Sequence, residues 1–136
     1  MDIDYAIIAD YAEVVGSKLY LMGGGWDTST MPEVPFQLRL AIAVGVRIGW
    51  EETNLSIPVR IVVQDDDGQE QVKIEGQVQV GRPPQLAPGS SQLAQLAANV
   101  PVNIPTFGGY RVHVEVGQGD AKLERMLPFR ITRPGP

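Results

Sequence analysis

The hydrophobic residues of segment 37–50 fall on every second position of the chain. They are Leu38, Leu40, Ile42, Val44, Val46, Ile48 and Trp50. A period of two is that of a β-strand with one buried face, whereas a helix would not bring these side chains to a common side. At about 3.3 Å per residue the segment would span about 45 Å. The pattern therefore predicts a long central strand with Ile42 and Val44 in the core and Trp50 continuing the buried face.

The opposite face of this strand carries small residues at its centre and basic residues towards its ends. It consists of Arg39, Ala41, Ala43, Gly45 and Arg47, preceded by Gln37. A solvated face usually carries longer polar side chains, so the small residues indicate that a loop, a helix or another subunit packs closely over them. A thinly covered surface is the alternative. If the cover is another subunit, these five residues form the interface.

Three further pairs of segments are separated by turn residues; segment 4–14 is mostly β-compatible, and the other segments have the same period of two. Segment 4–14 pairs with 18–22 across Gly16-Ser17, segment 57–64 with 72–80 across an acidic tip at 65–70, and segment 110–116 with 123–131 across 117–120. Glycine next to asparagine or aspartate is a strong signal for a tight hairpin turn, and Asp67-Gly68 lies in the acidic tip. Each pair predicts a β-hairpin.

The segment between the second and third hairpins is the hardest to assign. Residues 81–91 form a proline-rich crossing, and residues 92–97 are the best helix candidate in the chain. Residues 98–104 then alternate again, and Pro101 places them in an edge strand or a bulged strand because proline cannot donate to a ladder. The sequence thus predicts an all-β, antiparallel sandwich of about eight strands, which is either immunoglobulin-like or jelly-roll-like. We expect one domain over residues 1–136, with a disordered tail at 133–136.

Composition limits the classes of function. The 136 residues contain no cysteine, which excludes disulfides, thiolate metal sites and cysteine nucleophiles. A net charge of −5 repels polyanions, so we expect no nucleic-acid partner. No apolar run approaches the roughly 20 residues of a membrane span, and the acidic N-terminal stretch is unlike a signal peptide. We therefore expect a cytoplasmic chain with no membrane partner.

Five short stretches of the chain stand out together: Asp10-Tyr11-Ala12-Glu13, Lys18-Leu19-Tyr20-Leu21-Met22-Gly23-Gly24-Gly25-Trp26-Asp27, Trp50-Glu51-Glu52-Thr53-Asn54, Gly81-Arg82-Pro83-Pro84 and Pro128-Phe129-Arg130. In these stretches the chain resembles a family of short bacterial proteins known only as a domain of unknown function. The resemblance spans nearly the whole chain and implies a free-standing single domain. It implies no activity, cofactor or catalytic residue.

The residues that could carry chemistry are few. His113 is the only histidine, and it is expected on the outward face of a strand, without carboxylates at ligand spacing along the chain. The acidic tip at 65–70 could hold calcium or could be a hairpin turn, and it lacks the spacing of a calcium loop. The glycines at 23–25 are not followed by the lysine of a phosphate-binding loop. We expect no metal, no cofactor and no catalytic residues, hence no enzyme.

Two classes of function remain from the sequence. The first is a structural or protein-interaction module that binds protein, including its own copies, through sheet surface or a strand edge. The second is a small-ligand or carbohydrate binder that uses an aromatic cleft near Trp26, with Gly24, Trp26 and Asp27 as the candidate ligand loop. Convergent polar groups for a ligand are not visible, so the first class is favoured.

Overall fold

The computed structural model describes residues 1–135, and within them the chain forms nine strands and two single 3₁₀ turns. The 3₁₀ turns are Trp50–Glu52 and Gly119–Ala121. The strands are β1 (Asp2–Val15), β2 (Lys18–Gly24), β3 (Thr28–Thr30), β4 (Phe36–Ile48), β5 (Ile57–Asp65), β6 (Glu70–Val78), β7 (Gln92–Ile104), β8 (Gly108–Val116) and β9 (Leu123–Thr132).

The strands form two sheets packed as a sandwich. One sheet has the order β2-β1-β4-β7 and the other the order β3-β9-β8-β5-β6. All pairings are antiparallel except that of β3 with β9. The predicted all-β sandwich and its three hairpins are therefore confirmed. The sequence did not reveal β3, because its three residues are held only by a parallel partner about a hundred positions away.

The main core lies between the two sheets. The apolar face of β4 supplies five of its residues, and β5 and β8 supply the facing wall. All of these are buried: Leu40, Ile42, Val44, Val46, Ile48, Val59, Ile61, Val63, Val112, Val114 and Val116. Tyr110 stacks on Phe129 with ring centroids 5.6 Å apart, and its hydroxyl donates to the carbonyl of Thr106. The predicted central strand is confirmed, since β4 lies between β1 and β7.

Segment 92–97 is a strand, and the helix expected there is wrong. All 13 residues of β4 have a partner in β7, and Val44 lies opposite Leu96 within this ladder. The ladder satisfies the backbone of residues 92–97 together with that of residues 98–104, so pairing overrides the local preference for a helical turn. The predicted edge position of Pro101 is confirmed, because β7 is the last strand of its sheet and Pro101 is exposed.

Trp50 does not continue the buried face of β4, as the alternation suggested. The strand ends at Ile48, and Trp50 begins a 3₁₀ turn in which its ring is only half-buried. The Arg82 guanidinium lies 3.9 Å from the centre of the indole ring and also donates to the Trp50 carbonyl. Such stacking is a favourable cation–π contact and keeps the ring at the surface.

Residues 133–135 follow β9 without regular structure. Residues 133–135 are exposed, and the Arg133 guanidinium lies 4.8 Å from the Phe107 ring centre. Pro136, part of the predicted disordered tail, lies outside the described residues. No helix between residues 1 and 135 has the length and apolar character needed to cross a bilayer.

Candidate functional site

The small-residue face of β4 is covered by the chain's own β1–β2 hairpin. Ala41 and Ala43 are both 0% exposed and form a second buried cluster with Ala9 and Ala12 of β1. Leu19 and Leu21 of β2 pack against the same cluster. The cover is thus a β-hairpin of the same chain, whereas the sequence analysis had considered a loop, a helix or another subunit.

The hairpin reaches this position because β1 changes partners along its length. Its first part pairs with β4 as far as Ala9, and the rest pairs with β2 alone. The Asn99 carboxamide of β7 then holds the crossing strand, accepting from the amide of Ala12 and donating to its carbonyl. Near the turn, Gln95 donates to the Ser17 carbonyl. Through these hydrogen bonds the hairpin is attached to β7, and it lies across the outer face of β4.

Gly45 is the point at which this face tolerates no side chain at all. A Cβ atom added at Gly45 would lie 2.1 Å from a ring carbon of Tyr5, well inside contact distance. The Tyr5 hydroxyl donates to Gln95, and burial, followed by the charge of Asp4, raises the pKa of Tyr5. The glycine thus allows Tyr5 to lie flat over the strand. Of the two flanking basic residues, Arg39 is exposed and Arg47 pairs with Asp4 at 2.7 Å.

The hairpin presents its other face to solvent, and that face is rich in large apolar side chains. Tyr11, Val15, Tyr20 and Met22 are 45%, 51%, 54% and 68% exposed. Tyr11 lies opposite Met22 in the ladder, Glu13 opposite Tyr20, and Val15 opposite Lys18. Directly opposed side chains lie within contact range, so the six residues form one surface, called here the hairpin patch.

The hairpin patch contains one acid and one base among its apolar side chains. The Tyr11 hydroxyl donates to Glu13 at 3.2 Å, and this hydrogen bond raises the pKa of the Tyr11 phenol. Glu13 and Lys18 cancel in charge, although the chain as a whole carries −5. The sequence analysis missed this surface, because the alternation in segment 11–22 was taken only as evidence of a hairpin. The signal was there, since both faces of the segment are apolar.

The candidate ligand loop lies beside a shallow cleft. Trp26 is half-buried, and its ring meets Phe129 edge to face at 6.0 Å. The cleft has a volume of about 320 Å³ and is lined by residues 6–8, 25–27 and 127–128. The Trp26 Nε1 atom is buried without a hydrogen-bond partner among the described residues. Asp27 accepts from Thr28, while Gly24 lies in contact with Leu21 rather than in the cleft.

The acidic tip is a hydrogen-bonded turn. The Asp65 carboxylate accepts from the amides of Asp67 and Gln69 at 3.0 and 2.9 Å. Gly68 has a φ of +84°, which favours glycine, and its amide donates to the Asp65 carbonyl. The predicted hairpin turn is confirmed, and the Asp65 carboxylate is one of the groups that hold it.

His113 lies on the outer face of the five-stranded sheet, and the register brings two carboxylates to it. Its Nε2 is 3.0 Å from Glu124 Oε1 and 3.6 Å from Glu115 Oε1. The register thus brings to His113 a pair of carboxylates that the spacing along the chain did not reveal. Glu124 lies on β9, eleven positions away, and only the pairing of β8 with β9 places it there.

Comparison with known proteins gives a family but no activity. No curated protein matches the chain significantly. The model of a family of unknown function, DUF6941, matches residues 4–132 and thus spans every strand except the first residues of β1. The match agrees with the resemblance seen in the separate stretches of the sequence. The chain therefore belongs to the family of unknown function DUF6941.

Proposed function

We propose that this protein is a non-catalytic interaction module that associates with a second copy of itself through the hairpin patch. The observation that supports this proposal is the exposure of four large apolar side chains on one face of one hairpin. Exposed apolar patches of this kind mark interaction sites on soluble domains. The proposed interface is therefore the outer face of the hairpin. It is not the small-residue face of β4 suggested by the sequence, because the hairpin covers that face.

The charges of the hairpin patch support a second copy as the partner. In a two-fold symmetric dimer both copies use the same surface. Each contact between residue i of one copy and residue j of the other therefore occurs twice, with the roles of the copies exchanged. Glu13 and Lys18 are opposite charges on one face, and a two-fold axis between them lets Glu13 of each copy meet Lys18 of the other. The patch is also neutral, so the net negative charge of the chain does not oppose contact there.

Met22→Glu should convert the dimer into a monomer. Met22 is the most exposed apolar side chain of the patch, so the change leaves the fold intact and places two carboxylates in the interface. Burying an unpaired charge costs about 2 kcal/mol or more, so the dimer dissociation constant should rise by at least about thirtyfold. Sedimentation velocity across a concentration series measures this constant.

Met126→Glu is the matched control, because Met126 is 50% exposed on β9 of the other sheet. It should leave the dimer unchanged. The charge pair gives a second test: Glu13→Lys or Lys18→Glu alone should weaken the dimer, and the two changes together should restore it. A wild-type chain that stays monomeric at high concentration would refute the proposal, as would a dimer that survives Met22→Glu.

The cleft beside Trp26 supports a second candidate function, the binding of a small apolar ligand. Its walls are mainly aliphatic side chains, with Asp27 at the edge. In a nuclear magnetic resonance titration, a small aromatic alcohol at millimolar concentration should shift the Trp26 indole signal and not that of Trp50. Leu127→Arg would fill the cleft and remove the shift. An equal response to a monosaccharide would point to the carbohydrate alternative, and an unmoved Trp26 signal would exclude both.

Bacterial origin and a cytoplasmic location stay predictions of the sequence. The same holds for the absence of catalysis, which is supported by the position of His113, the only histidine, on an open sheet face. Among the described residues its charged neighbours are the carboxylates of Glu115 and Glu124, and a nucleophile is not among them.

A further inference from the structure

The outer face of β8 and β9 contains a pair of like charges at directly opposed positions. Glu115 and Glu124 are partners in the ladder. Like charges directly opposite each other destabilise a sheet, and a cation close to both carboxylates offsets the repulsion. His113 lies two residues before Glu115 on the same face of β8, and its Nε2 points to both carboxylates.

The distances among the three side chains fit a small metal ion. A tetrahedral zinc ion with bonds of about 2.0–2.1 Å holds its ligand atoms about 3.3 Å apart. His113 Nε2 lies 3.0 Å from one carboxylate and 3.6 Å from the other, and all three ligand atoms lie within 4.8 Å of one another. Glu124 is half exposed, so its side chain can rotate to close the remaining gap.

We propose that His113, Glu115 and Glu124 bind a divalent transition-metal ion, with Zn²⁺ as the best fit. An imidazole together with carboxylates suits zinc, while magnesium and calcium prefer oxygen ligands alone. Water would complete the coordination, because the site lies on an open face of the sheet. The sequence-based expectation of no metal rested on the absence of cysteine and on the spacing of carboxylates along the chain, and the cross-strand register adds Glu124, which that spacing did not reveal.

Two basic side chains compete with the ion for the carboxylates. Lys122 Nζ lies 3.8 Å from Glu115 Oε1 and 3.7 Å from Glu124 Oε1, and Arg60 lies 3.7 Å from the other oxygen of Glu115. The Lys122 ammonium thus serves as the cation in the absence of metal. Zinc must displace it, so removing the Lys122 charge should strengthen zinc binding. A purely structural ion-pair network would show no such effect.

Isothermal titration of the full chain with zinc chloride tests the site, using protein without a histidine tag. We expect one zinc ion per chain. Loss even of an outer-shell partner costs about 10–100-fold in affinity, so His113→Gln and Glu124→Gln should each weaken binding at least about tenfold. Lys122→Gln should tighten it, and Glu51→Gln, an exposed carboxylate elsewhere, should leave it unchanged.

Cobalt provides a readout of the ligands themselves. Co²⁺ bound in place of zinc should give a visible absorption band that is absent from His113→Gln. The absence of saturable zinc binding by the wild-type chain would overturn the proposal, and so would an isotherm that His113→Gln and Glu124→Gln both leave unchanged. Neither result bears on the hairpin patch, which lies on the other sheet.

Discussion

Val44→Asp should prevent the chain from folding. Val44 is 0% exposed at the centre of the main core, and none of the buried side chains between residues 1 and 135 is a cation that could pair with a carboxylate there. Burying an unpaired charge costs several kcal/mol, against a total stability of about 5–15 kcal/mol for a typical domain. Urea unfolding followed by far-ultraviolet circular dichroism measures the loss.

Two further variants make this experiment informative if Val44→Asp yields no soluble protein. Val44→Ala keeps the core apolar and should lower the free energy of unfolding by about 1.5–3 kcal/mol. Arg39→Asp adds a carboxylate to an exposed position of the same strand and should change stability by less than about 1 kcal/mol. A folded Val44→Asp with unchanged melting would mean that the two faces of β4 are inverted.

Ala43→Arg should also destabilise the fold, although Ala43 lies on the opposite face of β4. The residue is 0% exposed beneath the β1–β2 hairpin. An arginine there must lift the hairpin and break the bonds from Asn99 to Ala12. Overpacking alone costs about 1–3 kcal/mol, and burial of the charge adds to it. The free energy of unfolding should therefore fall by at least about 3 kcal/mol.

Ala121→Arg is the control for Ala43→Arg, since Ala121 is exposed in a 3₁₀ turn and accepts the same side chain without burial. Limited proteolysis should cleave the β1–β2 hairpin faster in Ala43→Arg, because the hairpin is no longer held to β7. A different result would be that Ala43→Arg melts like the wild type and changes only the association state. The small-residue face of β4 would then be an exposed interface, and the conclusion that the hairpin covers it would be wrong.

The alternation of apolar residues was sufficient to predict the strands that pair with near neighbours in the chain. The period of β4 and the turns at Gly16-Ser17, Asp67-Gly68 and 117–120 are local features, because backbone conformation and the face of each side chain depend on adjacent residues. Pro101 indicated an edge strand for the same reason, since its missing N–H excludes it from a central position in a sheet.

Other features depend on which strands become neighbours, and only the tertiary structure decided them. Segment 92–97 is a strand because β4 offers it a complete ladder, and the small-residue face of β4 is buried because Gly45 admits Tyr5 beneath the hairpin. The three candidate ligands of zinc meet because β8 and β9 pair in one register, and a shift by a single residue would turn Glu124 to the other face. Contacts between residues distant in sequence are set by packing of the whole sandwich, which no local pattern specifies.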